Sequence, residues 1–325
     1  MPRARPAVSV GNAIGWTLGG GLAAVALVRL FRSDSVPIFI GIQGVTGWIL
    51  IPAFPLAAIA LWKKKRALAG GAAVIGIARL VWLAGSVGWN GPQALAPDDL
   101  PVRLVSANLL YTNSQIRQLG NDLAAQDADV VVVQEVTDEV LAQLKLSALW
   151  TNYAFRSTDP RPLFDGAATF SRYPIADGRT IDVAGHPMLL TDLETPAGTV
   201  RLINVHTVAP LTFADAALWA EQFPALDQLV ADSPYPTVLA GDFNATLDHT
   251  PLENLVNGPV RDAFRVAGSG FGLTWPRLDF PAPQLMRLDH VLVSPTVSVA
   301  SITQQVSVGS DHLRVVAELG IPRNR

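Results

Sequence analysis

The stretch Thr237-Val238-Leu239-Ala240-Gly241-Asp242-Phe243-Asn244 sets a short apolar run against a glycine, a carboxylate and an amide. Such a run reads as a buried strand. Gly-Asp-x-Asn after it reads as a turn, because Asp and Asn bond to nearby backbone. The same grammar recurs along the chain. Leu104-Val105-Ser106-Ala107 ends in Asn108, Asp129-Val130-Val131-Val132-Val133 ends in Gln134-Glu135, and Leu202-Ile203-Asn204-Val205 ends in His206. Arg287-Leu288-Asp289-His290 opens Val291–Val293, and Ser310-Asp311-His312 opens Leu313–Leu319. Each has a plain structural reading alone: Glu135 as the acid of a helix N-terminus, His206 as a satisfied strand-end histidine, Asp311 and His312 in a solvated loop. As a set they are harder to explain so. Burying these groups without partners is costly, and if they converge they satisfy one another around an ion.

Outward from these ends, β-branched runs recur at 102–106, 130–133, 167–170, 188–193, 200–205, 237–240, 291–293 and 313–319. Helical patterns fall at 115–125, 139–146 and 214–230. Several strands follow one another without a helix between them. The class is therefore α+β, with two mostly antiparallel sheets packed together under outer helices.

The set and its order resemble the endonuclease/exonuclease/phosphatase superfamily over nearly all of 102–319. The matching stretches are Ser106-Ala107-Asn108, Val133-Gln134-Glu135, Gly166 to Ile175, Asn204-Val205-His206, Gly241-Asp242-Phe243-Asn244, Thr274-Trp275-Pro276, Arg287-Leu288-Asp289-His290 and Ser310-Asp311-His312. The resemblance implies a four-layer αββα sandwich that hydrolyses phosphate esters by in-line attack of water, helped by a divalent metal. It implies Glu135 as the principal metal carboxylate, with Asn108 and Asp311 beside it. All-oxygen ligation suits Mg²⁺ or Mn²⁺. Asp242 would orient or deprotonate the water, Asn244 would hold the water or phosphate, and His206 would contact the phosphate. His312 would contact a phosphate oxygen or act as general acid/base, with Asp289 fixing its tautomer. Arg172 and Trp275 are the candidate substrate contacts. A surface arginine and a core indole are their plain readings.

The first 91 residues are of another kind. Ala7–Val28 and Val36–Trp62 contain no charged residue, and Ala67–Trp89 contains only Arg79. Each is long enough to cross a bilayer core as a helix. Three transmembrane helices are expected at about 8–30, 36–62 and 67–89, followed by a linker over 92–101 and the phosphoesterase domain over 102–320. Lys63, Lys64, Lys65 and Arg66 form the most basic loop. Arg29 and Arg32, with Asp34, sit between the first and second segments, and Arg3 and Arg5 precede the first; the positive-inside rule puts the Lys63–Arg66 loop, and with it the N-terminus, in the cytoplasm. A multi-pass protein of the cell membrane with an extracytoplasmic catalytic domain follows. Arg79 is the exception within this scheme. It snorkels, holds a lipid phosphate, or marks a segment that does not span.

The net charge of −3 conceals a strong asymmetry. Residues 101–325 hold 15 basic and 24 acidic residues, a net of −9. No basic field exists to attract polyphosphate, so a metal is needed to bring a phosphate in. The absence of cysteine excludes disulfides, zinc–thiolate sites and thiol catalysis. The expected partners are a phosphate-ester substrate, nucleic acid or lipid headgroup, and the bilayer. No protein partner is inferable. The competing class is a non-catalytic membrane binding module with a phosphoesterase fold, against which the retained polar set argues.

Overall fold

The computed structural model describes residues 10–31, 34–277 and 283–323. Arg3, Arg5 and Arg32, which entered the orientation argument, lie outside the described residues. The chain divides into two compact units, Met1–Ser86 and Val87–Arg325.

The first unit contains α1 (Val10–Phe31), α2 (Pro37–Gly44), α3 (Thr46–Ile49), α4 (Ala53–Trp62) and α5 (Arg66–Ala84). Helices α1 and α5 are long and apolar enough to cross a membrane. The segment 36–62 is not the single helix expected from its composition, since α2 and the 46–62 stretch meet at 63°. Gly44 ends α2, and Pro52 has no N–H to continue the ladder after α3. The Ile51 N–H bonds the Trp48 carbonyl, and Arg79 Nε donates to the Gly47 carbonyl at 2.8 Å. Arg79 also lies 5.9 Å over the Phe54 ring. The arginine that looked misplaced in the sequence thus bonds backbone at the broken segment. Helix α5 ends at Ala84, before Gly85, and not near Trp89.

The second unit has two six-stranded sheets. Its elements in chain order are β1 (Leu100–Asn108), α6 (Ile116–Ala124), β2 (Val130–Gln134), α7 (Asp138–Leu144), α8 (Ala148–Asn152), β3 (Phe155–Asp159), β4 (Ala167–Ser171), β5 (Ile175–Val183), β6 (His186–Thr195), β7 (Gly198–His206), α9 (Phe213–Ala231), β8 (Thr237–Asp242), α10 (Thr250–Asn257), β9 (Arg261–Asp262), α11 (Ala263–Ala267), β10 (Asp289–Val293), β11 (Ser298–Val306) and β12 (Leu313–Ile321). The strand orders are β11-β12-β1-β2-β4-β3 and β5-β6-β7-β8-β10-β9. Each sheet is antiparallel except at one pair, β1 with β2 and β7 with β8.

Strand alternation explains the layers. Leu104, Val130 and Val132 face a core shared with Leu202, Val238, Ala240 and Val291 of the other sheet. Val105, Ala107, Val131 and Val133 face outward onto Leu119 and Leu123 of α6 and Val140 and Leu144 of α7. Both faces are covered, so these strands are apolar on both faces over most of their length. On the far side, Trp219 of α9 is fully buried and its indole N–H donates to the Phe243 carbonyl at 3.3 Å. This is the four-layer α+β sandwich the sequence implied.

The expected linker is not a free tether. Gly88 exchanges two main-chain bonds with Gly270, Gly91 N–H bonds Gly268, and Gln93 N–H bonds Ala300. The last residues of this stretch already belong to β1, which begins at Leu100.

Candidate active site

The two parallel pairs determine where chemistry collects. Parallel neighbours end on the same edge of a sheet. β1 and β2 therefore deliver Asn108 and Gln134-Glu135 together, and β7 and β8 deliver His206 opposite Asp242. The antiparallel partners bring their first residues to the same edges. Asp289 of β10 pairs with Asp242, and His312 stands immediately before β12.

Asn108 joins the two sheets at this end. Its Nδ2 donates to Glu135 Oε1 at 2.8 Å and to Asp242 Oδ2 at 3.1 Å, while its Oδ1 accepts from Leu110 N–H. Glu135 Oε2 accepts from Tyr111 N–H at 2.9 Å. Asp242 Oδ2 lies 3.6 Å from His312 Nε2 and 3.8 Å from His206 Nε2. His312 Nδ1 is 2.8 Å from Asp289 Oδ2. The other nitrogen of His206, Nδ1, donates to the Phe164 carbonyl at 2.9 Å. Asn244 closes the turn: its N–H bonds Asp242 Oδ1 and its Nδ2 bonds the Thr207 carbonyl, both at 2.9 Å. Glu135 (φ 62°) and Asn244 (φ 45°) hold left-handed backbone, uncommon for a glutamate. Such conformations persist where surrounding structure over-determines them.

The electrostatics follow from burial against charge. Burial alone would raise the Asp242 carboxyl, but His312 and His206 hold it below the ordinary carboxylate range. Burial likewise opposes a charged His312, yet the Asp289 and Asp242 carboxylates lift it to about 10. Asp289 itself is raised by burial, against the pull of His312. The site at neutral pH presents an ionised Asp242 beside an imidazolium.

Several residues that the sequence placed in the matching stretches without a role of their own support this arrangement. Thr274 Oγ1 accepts from Leu288 and Asp289 N–H, fixing the start of β10. Ser310 Oγ donates to the Asn108 carbonyl and accepts from His312 N–H. Gln134 Nε2 donates to Asn204 Oδ1 at 2.6 Å, joining the sheets one step inside the site.

The two substrate candidates separate. Trp275 is at the site: its indole N–H donates to Asp311 Oδ2 at 3.0 Å, and its ring lies 6.5 Å from that of His312. Arg172 is not. In the antiparallel register Ala167 pairs with Gln134 and Ser171 with Val130, so Arg172 follows the end of β4 remote from Glu135. It bonds Asp127 and lies over Tyr153. Two arginines lie at the site end: Arg161, whose N–H bonds the Val136 carbonyl and whose Nε bonds Asp159, and Arg277, whose N–H bonds the Asp311 carbonyl and whose guanidinium donates to the Ser310 carbonyl.

A family model described as the endonuclease/exonuclease/phosphatase family matches residues 105–312. The chain belongs to that family. It is thereby a phosphoric ester hydrolase by type, of a family dependent on divalent metal. Solved structures of the family share its fold. An endonuclease/exonuclease/phosphatase protein from Bacteroides vulgatus is 18% identical with a TM-score of 0.57, over 68% of this chain and 99% of that one. D. rerio TDP2 complexed with single-strand DNA product is 16% identical with a TM-score of 0.57, over 68% and 99%. The 3′ phosphatase NExo from Neisseria, bound to a product DNA hairpin, is 19% identical with a TM-score of 0.54, over 66% and 98%. No curated protein sequence matches the chain.

The family's metal fits the residues present. Among the described residues no lysine or arginine pairs with Glu135, Asp242 or Asp289, and the only basic side chains that meet Asp242 are histidines. Asp242, Asp289 and His312 offer ligand atoms within 4.8 Å of one another, and Asp289 Oδ1 is buried without a partner. So many carboxylates with so little fixed positive charge call for a cation.

Proposed function

We propose that the chain is a membrane-anchored phosphoesterase that cleaves phosphodiester or phosphomonoester bonds by attack of water at the point where Glu135, Asp242 and His312 converge. The observation that carries this reading is Asp242 Oδ2 set between two imidazole Nε2 atoms at 3.6 and 3.8 Å, with the Glu135 carboxylate on the same Asn108 amide.

The ionised Asp242 carboxylate orients the water and accepts its proton. His312, charged and held by Asp289, faces the phosphate and neutralises charge that develops on its oxygens. His206 has its Nδ1 proton engaged by Phe164, which leaves Nε2 turned toward the reacting centre. Asn244 fixes Asp242 through its main-chain N–H. Glu135 is the residue to hold Mg²⁺ or Mn²⁺, with Asn108 and Asp311 beside it. When bound, the ion neutralises a phosphate oxygen and the leaving alkoxide. Asn108 turns its Nδ2, not its Oδ1, toward Glu135 and Asp242 here, so its amide orients the Glu135 carboxylate.

The apolar helices α1 and α5 support anchoring in a membrane. The basic 63–66 loop supports an extracytoplasmic catalytic domain. The test is hydrolysis by the full chain in detergent, with Mg²⁺ and with chelator, of plasmid DNA, RNA, sphingomyelin, phosphatidylinositol and inositol phosphates. Metal-dependent turnover of at least one is expected. None by a folded protein would overturn the reading.

A further inference from the structure

We propose that Leu163, Phe164, Leu211 and Phe213 form an apolar rim that seats the active site on a lipid surface, so that its substrate is a phosphodiester headgroup held in a bilayer. The inference rests on the phosphoesterase reading of the site and narrows its substrate class.

Both rim loops belong to His206. The 160–166 loop supplies the Phe164 carbonyl to His206 Nδ1, and the Phe164 ring stands edge-on to the imidazole at 6.5 Å. The 207–212 loop begins at the residue after His206, where Thr207 N–H bonds the Asp242 carbonyl. Leu163 and Phe164 are 56% and 42% exposed, and Leu211 and Phe213 are 79% and 70% exposed. Neither loop is loosely held. Val136 exchanges main-chain bonds with Arg161 and Gly166 at the root of the first. The second ends in a capping box between Thr212 and Asp215 that starts α9. Large apolar side chains fixed in water around a hydrolytic site mark a surface that another apolar body covers.

Charge decides which body. A nucleic-acid backbone is held by a track of available cations, and this domain carries −9. Six of its fourteen arginines are also committed to carboxylates: Arg103 to Glu318, Arg161 to Asp159, Arg172 to Asp127, Arg179 to Asp177, Arg201 to Asp192 and Arg287 to Asp262. A lipid surface needs no such track. The same chain carries two helices long and apolar enough to cross a membrane, so lipid is always at hand. The acidic domain is repelled by anionic lipid, which makes the fitting surface zwitterionic.

The chain has no cysteine, so a single label is clean. The full chain is placed in phosphatidylcholine nanodiscs carrying an environment-sensitive fluorophore at Leu211→Cys or, as control, at the exposed Leu146→Cys. A blue-shifted label at 211, quenched by brominated lipid while the label at 146 is not, is the expected result. Equal, water-like emission at both positions overturns the docking. In parallel, the Leu211→Ser/Phe213→Ser double variant is expected to lose at least tenfold in hydrolysis of nanodisc lipid while keeping its rate on bis(p-nitrophenyl) phosphate. Equal effects on both substrates, or a wild type that cleaves plasmid DNA but no lipid, overturn the substrate assignment. A wild type inert on every phosphate ester overturns the phosphoesterase reading instead, and the labels still decide the docking.

Discussion

Asp289 and His312 hold each other at 2.8 Å through Oδ2 and Nδ1, both side chains buried, with the opposite imidazole nitrogen turned toward Asp242. The carboxylate fixes which nitrogen faces the reacting centre and keeps the ring charged. Asp289→Asn retains the shape and removes the charge. Its kcat is expected to fall roughly 10²–10⁴-fold. The sign of the pH effect follows from His312, whose charged form persists up to about pH 10. Activity that needs the imidazolium is lost as pH rises through that value, and the variant's alkaline limb moves to lower pH. A pH profile of kcat/KM on a soluble phosphodiester measures both effects. An unmoved limb would show that Asp289 does not set the state of His312.

Glu135→Gln keeps the size of the side chain, removes the charge, and leaves one oxygen to accept from either Asn108 Nδ2 or Tyr111 N–H. Metal binding by calorimetry on the full chain in detergent is expected to weaken at least tenfold for Mg²⁺ and Mn²⁺, and metal-dependent turnover to disappear. Unchanged metal affinity would move the ion to the Asp242, Asp289 and His312 group.

Arg172→Ala separates sequence expectation from structure. The residue matches a family stretch, yet it lies at the remote end of β4 in an exposed pair with Asp127. Steady-state kinetics are expected to be unchanged within twofold, and stability to change little, because exposed ion pairs contribute little. A large rise in KM would mean that substrate reaches across the sheet.

Arg172 also shows what the sequence alone does and does not reveal. Site residues were legible where a polar group interrupts an apolar run, because burial makes such a group conspicuous: Asn108, His206, Asp242 and Asp289 all lie at strand ends. Which end of the molecule a strand end occupies depends on strand direction and register, and one sequence does not carry that. The four strands without a readable apolar run, β3, β5, β9 and β11, are the four edges of the two sheets. Edge strands bury less and so carry a weaker pattern. The broken segment 36–62 escaped for the opposite reason. Uniform apolarity hides the points where Gly44 and Pro52 interrupt the helix.

His290 supplies a pH dependence of stability separate from catalysis. Its Nε2 proton is shared between the Ala245 and Arg287 carbonyls at 2.9 and 3.0 Å, and its Nδ1 is buried without a partner. Burial, with Arg287 nearby, lowers it to about 4 from 6.5. The unfolded chain therefore takes up the proton first. The contribution is complete above about pH 6.5 and is lost as pH falls toward 4, a loss of roughly 3 kcal/mol. His290→Gln keeps a donor for the carbonyls and removes the titration. Thermal midpoints in detergent across this window are expected to fall less steeply in the variant. Parallel slopes would mean that the loss comes from other groups, of which His186, also lowered by burial, is the first to test.

Gly241 tests how tightly the Asp242 turn is fixed. It sits at φ +153°, and a Cβ there would meet the Val205 carbonyl oxygen at 1.8 Å. That oxygen belongs to the neighbouring strand β7, whose next residue is His206, so neither side has room to yield. Gly241→Ala must push β8 away from β7, which separates Asp242 from His206 and loosens the Thr207 N–H bond to the Asp242 carbonyl. Misplacement of a reacting group by about 1 Å costs on the order of 10²-fold, and overpacking a close contact costs about 1–3 kcal/mol. The expected outcome is a folded but less stable protein with kcat down at least 10²-fold. Circular dichroism and turnover on a soluble phosphodiester read the two effects. A folded variant with wild-type turnover would show that the spacing of Asp242 and His206 does not limit the reaction.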